Sequence, residues 1–146
     1  MAGWGERIQK RGDELTTRAL AVTKHVARAV LQEAVERTPV DTGRARSNWA
    51  VTVGVSPLNV WHEPPFPGKR GSTVRANSQY AFSNATTALQ GRMLTFAPIY
   101  ISNFTPYIEQ LDSGTGSRQA PDGMSLFAMQ AGRRVLTFVG PLLKGP

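Results

Sequence analysis

The chain has 146 residues, 40% of them hydrophobic and 18% charged, with a net charge of +7 and no cysteine. That is one domain's worth of chain with enough apolar content to bury a core, and it excludes disulfides, thiolate metal sites and cysteine nucleophiles. The charged fraction falls below the roughly 25% usual for a free-standing domain, so part of the surface is expected to lie against partners, while the longest apolar runs are far shorter than a membrane span.

From about Glu6 to Arg37 the residues Ile8, Leu15, Ala19, Val22, Val26, Val30 and Ala34 recur at intervals of seven, four and three. That spacing lines one face of a long helix, the organising element of the domain. Pro39 ends it, because the residue before a proline avoids helical dihedrals. "TPVDTGR" then reads as a loop in which Pro39, Asp41, Thr42 and Gly43 form a structural turn. The Asp side chain bonds nearby backbone and Gly43 supplies a positive φ. Arg44 and Arg46 are left free for neighbours.

"SNWAVTVGV", Ser47 to Val55, alternates with Trp49, Val51, Val53 and Val55 on one face, the pattern of a half-buried strand. Four prolines between Ser56 and Ala76 leave no room for a core element. The stretch is expected to be an exposed arm with Trp61 and Phe66 as its adhesive side chains. Asn77 is placed to cap a helix over Ser78 to Arg92, with Ala81, Ala85, Ala88 and Leu89 on one side. "APIYISN" is a second strand. In "TPYIEQLDSG", Thr105 caps a short helix, Pro106 takes its first position and Gly114 stops it. A last helix is expected from about Pro121 to Arg133, its faces set by Leu126, Phe127 and Gln130, followed by a final strand over "VLTFVG", Val135 to Gly140. The order predicts an α+β fold, a single domain over residues 1–146. A long N-terminal helix packs on a small, mostly antiparallel sheet, with further short helices and a long proline-rich arm.

Several chemical readings are open to test against these residues. Asp41-Thr42-Gly43 is the triplet of retropepsin-like aspartic proteases, and "TFVG" resembles the hydrophobic-hydrophobic-glycine element of such enzymes. The triplet, however, follows a helix and a proline rather than a buried strand. Arg44 and Arg46 beside it would keep both carboxylates ionised and remove the shared proton. The two histidines, His25 and His62, stand near no nucleophile or ligand set. "PFPGKRGST" lacks the first glycine of a phosphate loop, and Gly114-Thr115-Gly116 follows a helix instead of a strand. No catalytic, metal or cofactor site is assigned. The basic excess is spread thinly, with only Lys10/Arg11, Lys69/Arg70 and Arg133/Arg134 adjacent. A basic nucleic-acid-binding accessory protein therefore stands as the alternative reading, without the aromatic-interleaved stripe such proteins usually show.

Two segments carry a resemblance. "TPVDTGRARSNWAV", closing the long helix, resembles the signature of neck and tail-completion proteins of tailed bacteriophages, including the minor tail protein Z family. "IYISNFTPYIEQLDSGTGSRQAPDGM" resembles the second half of that pattern. Ile101, Ser102, Asn103, Pro106, Tyr107, Leu111, Gly114, Gln119, Ala120, Pro121, Gly123 and Met124 stand at the matching places. Asp112 stands where the family often has Glu, and the tail over residues 135–146 is unmatched. The resemblance implies a structural virion protein at the head–tail junction, assembled in the host cytoplasm, with no enzymatic activity and no cofactor. It implies a homo-oligomeric ring touching other virion proteins (a portal or connector, an adaptor, a tail terminator or tail tube) and nonspecific contact with phage DNA, but no membrane. A ring uses head-to-tail contacts. Trp61, Phe66, Arg44, Arg46, Tyr107, Gln119 and Met124 are the candidate subunit-interface residues.

Overall fold

In the computed structural model, which describes residues 3–90 and 97–143, the chain opens with α1, Trp4–Arg37. Its 34 residues span about 50 Å at 1.5 Å per residue. Two faces of its C-terminal half are used. Ala27, Leu31 and Val35 are buried in the main core. Val26 and Val30, a third of a turn away, meet the last helix. The helix ends at Thr38, whose ψ of 122° is extended, as a residue before proline requires.

After the turn at Pro39–Gly43 comes a four-residue helix, α2, Arg44–Ser47. Strand β1, Ala50–Val53, pairs antiparallel with β2, Ile99–Ser102, with Val51 opposite Ile101 and Val53 opposite Ile99. Helix α3, Val74–Gln90, lies against this ribbon. A two-stranded ribbon is marginal alone, and here Val51 joins Ala81, Ala85 and Leu89 of α3 and Leu31 and Val35 of α1 in one cluster. Leu89 is fully buried, and a side chain of that size so placed contributes about 1.5–3 kcal/mol. A smaller cluster forms from Ala45, Leu111, Ala120 and Met124. It joins α2 to the short helix α4, Ile108–Asp112, and to the segment that precedes α5, Ser125–Val139.

Helix α5 returns along α1, with Arg37 stacked 3.7 Å from the Phe127 ring centroid at one end. Further along, a Cβ on Gly132 would come within 2.7 Å of Val30 Cγ2. That glycine permits the close approach of the two helices. A 3-10 turn, Gly140–Leu143, follows. No helix among the described residues is long and apolar enough to cross a membrane.

The α+β architecture is as the sequence predicts, and five local features differ. Residues 135–139 form no strand: they continue α5, because Ala128, Ala131 and Gly132 are buried and Val135 and Val139 half-buried at helical spacing against α1. α5 begins at Ser125 and not at Pro121, since Gly123 holds a φ of +73°. α3 begins at Val74, so Asn77 is a buried residue within the helix instead of its cap, and the arm is shorter than Ser56 to Ala76. The expected end of α3 at Arg92 lies outside the described residues. Tyr107, and neither Thr105 nor Pro106, stands directly before α4, because the Thr105 hydroxyl donates instead to Asn103 Oδ1 at 2.7 Å. Finally, β1 is four residues long, and α2 occupies part of the stretch expected to be loop and strand.

Candidate functional site

The turn between α1 and β1 is bonded at several points to the arm that crosses it. Gly43 adopts φ +85°, open to glycine and strained for other residues. A Cβ there would also collide with the amide of Asn77. Asp41 holds the turn from outside: its carbonyl accepts the Gly71 N–H at 3.2 Å and its carboxylate accepts the Arg70 N–H at 3.3 Å. Asp41 thus ties two loops together. The strand that would deliver a protease aspartate is missing, since α1 precedes the triplet and α2 follows it.

Arg46 does not point away from the chain. Its guanidinium donates to the carbonyls of Glu36 and Thr38 at 3.0 and 2.7 Å, satisfying oxygens that the end of a helix leaves unpaired. Burial lowers its pKa, and the nearby Glu36 opposes that shift. Arg44 is likewise engaged. It makes a two-bonded ion pair with Glu63 of the arm at 2.7 and 2.8 Å, and its guanidinium lies 4.9 Å from the Trp61 ring centroid. The expectation that both arginines are free is therefore corrected: the turn uses both within the chain.

The arm is fastened chiefly through its main chain. The Asn48 amide donates to the His62 carbonyl and accepts the His62 N–H, both at 2.8 Å, the two-way pairing of a strand neighbour made by one side chain. Asn77 Nδ2 donates to the Phe66 carbonyl at 2.9 Å. The His62 ring meets Tyr80 of α3 edge-on at 5.6 Å. Strapped at both points, the arm still turns Leu58, Val60, Trp61 and Phe66 to solvent. Sequence reasoning found Trp61 and Phe66 but missed their fasteners. Asn48 and Asn77 give no local signal, because each bonds a segment eleven or more residues away.

A cleft beside the turn is lined by Arg44, Tyr107 and Gln119. Burial raises the Tyr107 pKa, against the lowering effect of Arg44 and the Ala45 backbone. Gln119 Oε1 accepts the Val40 N–H at 3.0 Å, joining the two signature segments. Met124, 1% exposed, packs inside this chain. The segment after α4 closes on Asp112, whose carboxylate accepts from the Met124 N–H, the Ser125 N–H and the Ser125 hydroxyl. Gly114 takes φ +77° directly after the end of α4, as a helix-stopping glycine should. The described residues contain no group of three or more His, Asp or Glu that could hold a metal ion.

The sequence profile of the HK97-gp10-like family, described as "Bacteriophage HK97-gp10, putative tail-component", matches residues 4–82, more than half of the chain. The chain belongs to this family. The match takes in α1, the Asp41 turn, α2, β1, the strapped arm and the first half of α3. No curated protein and no solved structure matches the chain. For this HK97-gp10-like chain, family membership supports a structural role in a phage virion, in contact with other virion proteins.

Proposed function

We propose that the chain is a ring-forming neck or tail-completion protein that joins the head connector to the tail. The carrying observation is the arm: a loop that leaves large apolar side chains outside yet is fixed by polar bonds at His62 and Phe66. Exposed apolar groups on a preorganised segment mark a contact surface, because ordering has already been done before the partner arrives. A second, different apolar surface lies on the outer side of α5, where Leu126, Met129 and Leu136 are exposed. Two unlike patches on one chain suit a head-to-tail contact, which generates rings when the rotation closes.

In this arrangement Trp61 and Phe66 are the anchors, and Arg44 orients Trp61. Tyr107 and Gln119 offer the edge of the adjoining cleft, while Arg46 and Met124 act from within by fixing the turn and its support. Net charge of +7 favours nonspecific, salt-sensitive contact with exiting DNA. Replacing Trp61 and Phe66 together with Ser tests the reading. The expected result is a folded chain that no longer enters particles, read by imaging of assembled particles and by light scattering. Normal incorporation would reduce the arm to a linker and end the proposal.

A further inference from the structure

The first twelve residues of α1 stand apart from everything else in the fold. Residues 3–15 are exposed throughout, whereas α5 and the following 3-10 turn cover α1 only further along. Yet this stem is not a polar helix. Trp4, Ile8 and Leu15 are 74%, 51% and 48% exposed and, with Arg11, occupy positions 4, 8, 11 and 15. Those are the alternating four- and three-residue steps of a coiled-coil seam. Beside the seam lie Arg7 and Glu14 on one flank and Gly5 and Gly12 on the other. A Cβ at either glycine would meet nothing within 4 Å. Neither Arg7 nor Glu14 forms an ion pair within the chain among the described residues.

We infer that the stem docks on the same stem of a second copy, antiparallel, to form a two-fold dimer. In that register Trp4 packs on Leu15 of the second copy and Ile8 lies beside the aliphatic part of Arg11 of the second copy. Arg7 then faces Glu14 of the second copy, and by symmetry Glu14 faces its Arg7, giving two opposite-charge pairs along one flank. The other flank sets Gly5 against Gly12, where no side chain holds the helices apart. Parallel alignment forfeits all of this: Arg11 meets Arg11 in the seam, and Arg7 and Glu14 face Gly12 and Ala19. The pairing consumes the exposed stem from end to end, residue 4 against residue 15. Because a two-fold contact closes on itself, it yields a free dimer distinct from any head-to-tail ring contact, and it does not rest on the ring.

Sedimentation and light scattering of the full chain over a range of concentrations provide the test. The unmodified chain should show a monomer–dimer equilibrium. Leu15→Asp should give monomer with an unchanged far-ultraviolet spectrum, since the stem lies outside the core. Arg7→Glu should weaken the dimer about tenfold by placing like charges opposite each other twice. Adding Glu14→Arg should restore it by recreating the pairs in reverse. In this cysteine-free chain, mixing Ile8→Cys with Arg11→Cys should yield an intermolecular disulfide faster than Ile8→Cys alone. The inference is overturned by a monomer at every concentration, by larger assemblies indifferent to Leu15→Asp, by a double reversal no better than Arg7→Glu, or by preferential cross-linking of Ile8→Cys to itself.

Discussion

The indole N–H of Trp49 donates to the hydroxyl of Thr38 at 2.7 Å, and the same hydroxyl donates to the carbonyl of Ala34 at 2.6 Å. One fully buried oxygen thus joins the last turn of α1 to the start of β1. Thr38 and Trp49, on either side of the turn, are bonded to each other across it. Thr38→Val keeps the shape but strands the Trp49 donor and the Ala34 acceptor. Loss of stability should be about 1–3 kcal/mol. Urea unfolding followed by circular dichroism gives the value, and a loss within about 0.5 kcal/mol would mean the hydroxyl is not the shared element.

The turn next to it separates two residues that look equally special in sequence. Gly43→Val forces a branched side chain into a positive φ and against Asn77, and should lower stability by roughly 3 kcal/mol or more. Asp41→Asn keeps an oxygen for the Arg70 N–H and should stay within about 0.5 kcal/mol. Thermal unfolding of the two variants checks the contrast. Equal damage would give the Asp41 charge a role beyond the turn.

Release of the arm should be separable from unfolding. Asn48→Ala removes both bonds to the His62 backbone and one to the Arg44 carbonyl. Limited proteolysis should then cut between Ser56 and Thr73 at least about tenfold faster, in line with local opening at a free-energy cost well below global unfolding. Unchanged cleavage would show that the Arg44–Glu63 pair and the Asn77–Phe66 bond hold the strap without Asn48.

Acid should weaken the junction between α4 and α5. Burial pushes the Asp112 pKa up, but the bonds from the Ser125 hydroxyl and from the Ser125 and Met124 N–H groups more than offset it, holding the carboxyl below its usual range. A carboxylate depressed in the folded state contributes stability that is full above its unfolded pKa and is lost as pH falls through the folded one. Asp112→Asn should therefore flatten the fall in melting temperature below about pH 4. A slope identical to that of the unmodified chain would assign the acid sensitivity elsewhere.

Much of the backbone plan was legible because it is written locally. α1 and its stop at Pro39, the apolar face of α3 and the two strands in "SNWAVTVGV" and "APIYISN" all follow from spacing and proline chemistry. Residues 135–139 misled because Val135, Thr137, Phe138 and Val139 favour strands by type, while the decisive fact was the stripe from Ala128 through Val139 packed on α1. The start of α5 was illegible for a different reason, since its first amides are bonded by Asp112, twelve and thirteen residues back. At the candidate site, Trp61 and Phe66 stood out as apolar residues in a polar loop. Arg44 and Arg46 read as free charges because the acceptors they occupy belong to Glu63 and to the main chain at Glu36 and Thr38.

The straps at His62 and Phe66 grip carbonyls and an N–H, atoms present at nearly every residue of any sequence. Asn48 and Asn77 therefore prescribe where the arm runs while leaving open what Leu58, Val60 and Phe66 are. Those positions can change to suit a different neighbour without disturbing the path of the loop, as an interchangeable bit fits a fixed handle.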